Sequence, residues 1–174
     1  RAVTALPFRS PGYMDDFYYY VNAERIAVGH GLTEPLIWNY LAPSPQLPAP
    51  AFQYWMPFTS FLIVPSFALL GVSFRTAQIP FILISSLLPA LTYLISLFLA
   101  PRRRTAWFSA ALTLLAPAYA KFWATTDNFA PFALWGCLTL LCGWKAILTQ
   151  RTSWFLLAGL CAGLAHLTRA DAPL

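Results

Sequence analysis

Six Asp or Glu and eleven Lys or Arg side chains are the whole formal charge of the 174-residue chain, so each is informative. Asp15 and Asp16 stand side by side ahead of Tyr18, Tyr19 and Tyr20. A partly desolvated carboxylate has a raised pKa, which suits a general base. One of the two could take the proton of an acceptor hydroxyl while the other orients it or holds a metal ion. The plainer alternative is a helix cap on a solvated loop. Asp127 stands alone in "TTDN", either as a further acid facing the same space or as a loop acid capping a helix at Phe129. Lys121, less than two turns earlier, could pair with Asp127 or snorkel to headgroups. Arg169 could grip a phosphate, because a guanidinium matches phosphate oxygens bidentately. It could equally pair with Asp171 at a helix end. His166 reads as a helix-packing residue, and Cys137, Cys142 and Cys161 show neither CxxC nor metal spacing.

The elements that position these groups follow from composition. Hydrophobic residues make up 59% of the chain and charged residues 10%, against about 25% charged in soluble domains. Lipid is therefore the expected solvent, and the continuous apolar runs favour helices over a barrel. The 15 prolines fit membrane helices, whose neighbours re-satisfy freed backbone groups. The net charge of +5 is topological and does not point to nucleic acid, because no basic face interleaves with exposed aromatics. There is no GxGxxG, no P-loop, no HExxH and no GxSxG.

The expected fold is all-α, a polytopic transmembrane helix bundle with an interfacial helix in an N-terminal extracytoplasmic loop. Residues 1–55 form that loop. In it "DDFYYYVNAERIAVGHG" makes one short helix, capped by Asp15 or Asp16 and stopped at Gly29 and Gly31. Tyr18, Tyr19, Tyr20 and Trp38 suit the headgroup level. A proline-stiffened stretch, Pro35 to Pro57, follows. Residues 56–174 form the helix bundle, with spans expected over 76–100, 105–124, 129–148 and 154–172. Placing Arg102, Arg103 and Arg104 in the cytoplasm puts Asp127 outside and returns Lys145 and Arg151 inside. Residues 56–74 either span, separating Asp15 from Asp127, or lie along the surface and leave both outside. Charge counting does not choose. A start at Arg1 and an apolar end at Leu174 suggest a piece of a longer chain.

With these residues in view, the sequence resembles the GT-C-type membrane glycosyltransferases, in particular the protein O-mannosyltransferase and aminoarabinose-transferase-like group (glycosyltransferase family 39-like). Four stretches carry the likeness in order: "PGYMDDFYYYVNAERIAVGHGL", "YWMPFTSFLIVPSFALLGVSFRTAQIPF", "KFWATTDNFAPFALWG" and "GLCAGLAHLTRADAPL". The resemblance implies a multi-pass enzyme of the plasma (inner) membrane, with its active site facing outside. Such an enzyme moves a sugar from a polyprenyl-phosphate donor to the hydroxyl of a protein, lipid or glycan acceptor. It implies Asp15 as catalytic base, Asp16 and Asp127 as the other catalytic acids, and Arg169, Tyr18 and Tyr19 as substrate-binding groups. It also implies that residues 56–74 lie along the membrane surface. The leaving phosphate would be stabilised by Arg169, or by a divalent metal held by the acids. The competing readings are a transporter or flippase-like protein without covalent chemistry and a catalytically dead lipid-carrier-binding homologue.

Overall fold

Apolar runs punctuated by glycine, proline and charge fold here into helices whose ends coincide with the punctuation. The computed structural model describes residues 1–38, 46–116 and 121–171. A single turn, α1 (Ala2–Ala5), precedes α2 (Met14–Ala27). The first turn of α2 contains Asp15 and Asp16, where carboxylates meet the positive end of the helix dipole. Neither supplies the expected side-chain cap: the N-cap is Tyr13, without a side-chain bond. Gly29 ends the helix as expected. At φ 85° it adopts the left-handed conformation, and His30 N–H reaches back to the Arg25 carbonyl at 2.8 Å. The proline-stiffened stretch after α2 contributes one strand of a two-residue antiparallel pair, whose other strand immediately precedes it. In it β1 (Thr33–Glu34) faces β2 (Ala49–Pro50) in the register Thr33 to Pro50 and Glu34 to Ala49. Part of the proline-rich stretch, 39–45, lies outside the described residues.

α3 (Phe58–Leu70) has 13 residues and so measures ~20 Å, short of the ~30 Å of a bilayer core. It is sandwiched between α2 and α4. Tyr18, Tyr19 and Ala23 of α2 meet Ile63 and Phe67 of α3 and Ala77 and Phe81 of α4 in one buried cluster. Gly71, at φ 83° and ψ 162°, turns the chain from α3 into α4, a conformation essentially confined to glycine. Ser73 then caps α4 by accepting from the Thr76 amide.

α4 (Phe74–Leu99), α5 (Arg103–Leu115), α6 (Phe129–Thr149) and α7 (Thr152–Thr168) run alternately away from and back toward α2. Hydrogen bonds Thr113 to Thr92 and Ser109 to Ser96 fix the α4–α5 hairpin. At the near end Gln78 donates to the Ala124 carbonyl at 2.8 Å. At the far end Lys145 Nζ lies 5.8 Å from the Phe98 ring. Arg102, Arg103, Arg104, Lys145 and Arg151 therefore gather at the end remote from α2. Among the described residues, α4 and α6 are long and apolar enough to cross a membrane, with mean hydropathy 2.1 and 1.5. Leu83, Leu87 and Leu94 of α4 and Leu140, Ile147 and Leu148 of α6 point outward, as side chains solvated by lipid do.

α5 departs from the expected span over 105–124. It ends at Leu115, and Ala116, ahead of Pro117, takes φ −56° and ψ 98°, because a residue before proline is pushed out of the helical region. Residues 117–120 lie outside the described residues, and 121–128 are turns. The turn residues Thr125 to Asn128 are buried and underlie the site.

Candidate active site

Two segments far apart in sequence meet at the near end: the first turn of α2 and the turn leading into α6. Asp16 joins them. Its carboxylate accepts from the Gly12 amide at 3.1 Å and from the Thr126 amide at 2.6 Å, and also from the Thr126 hydroxyl. The same hydroxyl contacts the Asp16 carbonyl at 2.9 Å. Burial pushes the Asp16 carboxyl above its ordinary range, against the pull of these donors. Asp16 is thus fully engaged inside the protein and faces no open space. Lys121, instead of pairing with Asp127, sits over the Tyr13 ring at 5.1 Å and adds its charge to the field at Asp16.

Asp15, one residue on, points elsewhere. It lines an open cavity of about 270 Å³ together with Tyr19, Tyr54, Trp55, Met56, Asn128, Thr168, Arg169, Ala170 and Asp171. Desolvation raises the Asp15 carboxyl, the Arg169 charge opposes that, and Asp16 reinforces it. Across the cavity Arg169 holds Asp171 through Nε and Nη2, both at 2.9 Å, and makes a longer contact from Nη1 to Asn128 Oδ1 at 3.4 Å. Its guanidinium also lies 5.3 Å from the Phe129 ring and 5.5 Å from Phe132. Asn128 continues the chain of contacts, with Nδ2 donating to the Tyr19 hydroxyl at 2.9 Å. Burial carries the Tyr19 phenol up to about 12, so it keeps its proton. That proton remains available to a ligand, since the bond to Asn128 uses the oxygen as acceptor.

Asp127 is buried beneath this network. Oδ1 accepts from the Asn128 amide at 2.5 Å, and Oδ2 has no partner. Burial raises its pKa to about 7. It does not line the cavity, which it influences through the charge of Arg169. Tyr18 does not line it either. A helix step of ~100° per residue turns Tyr18 into the aromatic cluster, where its hydroxyl accepts from the Phe52 amide at 3.0 Å. The structure brings Asp15, Tyr19 and Arg169 to one cavity and leaves Asp16, Asp127 and Tyr18 off its lining, whereas the family resemblance implied all six as groups of one site. Sequence reasoning missed Asn128, Tyr54 and Trp55, although Asn128 directly follows Asp127 and "QYWM" is a dense aromatic signal. Among the described residues no three His, Cys, Asp or Glu side chains cluster as a metal-ion cage.

The family model described as dolichyl-phosphate-mannose-protein mannosyltransferase matches residues 50–174. The chain belongs to that family. Comparison with curated proteins and with solved structures gives no match. Family and apolar helices together make the chain a membrane glycosyltransferase with an all-α, GT-C-like fold. In this glycosyltransferase the matched segment holds Tyr54, Trp55, Asp127, Asn128 and Arg169, while Asp15 and Asp16 precede it. Of the cavity's lining, Asp15 and Tyr19 are therefore contributed by α2, outside the matched segment. Hydrogen bonds from Thr126 and Asn128 anchor α2 onto the matched segment.

Proposed function

We propose that the chain transfers a sugar from a polyprenyl-phosphate-linked donor to an acceptor hydroxyl, with the cavity open to the extracytoplasmic side of a multi-pass protein. One observation carries this reading: Asp15 and Arg169 line the same cavity. They supply a base and a phosphate-binding cation, the two groups a direct displacement needs. The orientation rests on Arg102, Arg103, Arg104, Lys145 and Arg151 at the opposite end, since cationic loops stay in the cytoplasm.

In the proposed reaction the acceptor hydroxyl gives its proton to Asp15 as its oxygen bonds to the anomeric carbon. The bond from that carbon to the phosphate oxygen breaks, inverting the centre, and the polyprenyl phosphate departs with the electron pair. Arg169 retains one unused N–H on each of Nη1 and Nη2 for the phosphate oxygens, beyond those committed to Asp171 and Asn128. Tyr19 offers its proton to a sugar or phosphate oxygen. Asp16 positions Asp15 by fixing the start of α2 against Thr126. Asp127 holds the Asn128 amide and, near neutral pH, moderates the field at Arg169.

The test is Asp15→Asn in the full-length protein, assayed for mannose transfer from dolichyl-phosphate mannose. We expect a ~10²–10⁴-fold loss with unchanged membrane insertion and thermal midpoint. Undiminished turnover would remove Asp15 from the mechanism.

A further inference from the structure

The cavity is lined by two unlike kinds of group: Asp15, Asn128, Arg169 and Asp171 are ionic or hydrogen-bonding, whereas Tyr54, Trp55 and Met56 are aromatic or apolar. Phosphate alone has no use for the aromatic groups, and an isoprenoid chain has no use for the ionic ones. A sugar ring uses both. Its axial C–H bonds form an apolar face that fits the electron-rich face of an aromatic ring, and its hydroxyl edge needs charged and amide partners. The volume, equal to about nine waters at ~30 Å³ each, is on the scale of a single sugar residue.

Trp55 is set up for this contact by its own packing. Tyr18 and Trp38 each lie 4.9 Å from the Trp55 ring, near perpendicular at 74° and 87°. Tyr54 lies 5.6 Å away at 57°. An indole gripped on several sides loses little freedom when a ligand lands on it, so its contact area is already ordered. The grip reaches further back. Tyr18 holds the Phe52 amide, and Phe52, at φ 64°, adopts a left-handed conformation uncommon for a bulky residue. That bend lies three residues before Trp55, at the start of the segment that supplies the aromatic lining.

Resting on the transferase reading, we infer that Trp55, flanked by Tyr54, is the platform on which the donor's sugar ring stacks in the cavity that Asp15 also lines. Trp55 is then a positioning residue that selects for the sugar moiety and not for the lipid. The experiment measures binding to full-length wild-type, Trp55→Leu and Trp55→Phe proteins in nanodiscs. The probes are dolichyl-phosphate mannose and sugar-free dolichyl phosphate. Leucine keeps apolar bulk without a π-face, and phenylalanine keeps the face. We expect Trp55→Leu to weaken dolichyl-phosphate mannose by about threefold to tenfold, with dolichyl phosphate unchanged and Trp55→Phe close to wild type. An equal loss for both probes, or for neither, overturns the inference, because a purely structural or lipid-binding role cannot distinguish them. Failure of the transferase reading would appear separately, as wild-type protein that transfers no mannose from dolichyl-phosphate mannose.

Discussion

The Asp127 carboxyl offers the sharpest test of the electrostatics beneath the cavity. Its ordinary pKa of 3.8 rises to about 7 in the folded protein, principally because the group is buried with Oδ2 unpartnered. A raised carboxyl favours the folded state while it is protonated and opposes it once ionised. Stability should therefore fall as pH climbs from about 4 to about 7 and level off above that. At ~1.4 kcal/mol per pH unit, the wild-type protein carries a penalty of up to about 4 kcal/mol at pH 8. Asp127→Asn keeps an oxygen for the Asn128 amide and cannot ionise. The variant should match wild type at pH 4 and surpass it increasingly toward pH 8. For a folded unit of this length, each kcal/mol moves the midpoint by about 2–4 °C. Thermal unfolding of both proteins in one detergent, at unit pH steps from 4 to 8, reads the difference directly. A gap independent of pH, or one that widens toward acid, would refute the reasoning. The attraction of Arg169 would then outweigh burial, and Asp127 would be ionised throughout.

Thr126→Val removes both the hydroxyl bond to the Asp16 carboxylate and the contact with its carbonyl. It should cost about 1–3 kcal/mol, seen as a lower thermal midpoint. Gly71→Ala places a Cβ at φ 83° and should cost about 1–3 kcal/mol by the same measurement, although its side chain would meet open space. Arg169→Lys keeps the charge but loses the planar fork. The KM for dolichyl-phosphate mannose should rise about tenfold, the loss of about one charge-assisted bond, with a smaller change in kcat. An unchanged KM would detach Arg169 from the donor phosphate.

Much of this architecture could be read from residue type. The apolar runs identified α4, α6 and α7 to within a few residues, because lipid exposure demands long uninterrupted stretches. Gly29 marked the end of α2 for a local reason, the left-handed backbone. α5 was overextended because hydropathy continues past Leu115 while backbone geometry, restricted ahead of Pro117, does not. The division of labour between Asp15 and Asp16 was invisible. Adjacent helical positions diverge by ~100°, and only the approach of Thr126 makes one of them internal and leaves the other facing the cavity. Trp55 escaped notice for a related reason: an aromatic in a proline-rich loop looks like a headgroup anchor until Tyr18 and Trp38 are found holding it.

The clasp between Asp16 and Thr126 spans 110 residues, and that separation has a consequence for biogenesis. At ~5–20 residues per second, synthesis reaches Thr126 about 5–20 s after Asp16 has been made. Throughout that interval the acid has no threonine to receive, and α2 has no floor to rest on. The cavity therefore cannot form as the chain emerges. It closes only after the α4–α5 hairpin has been laid down and has brought the later turn back to the waiting N-terminal loop.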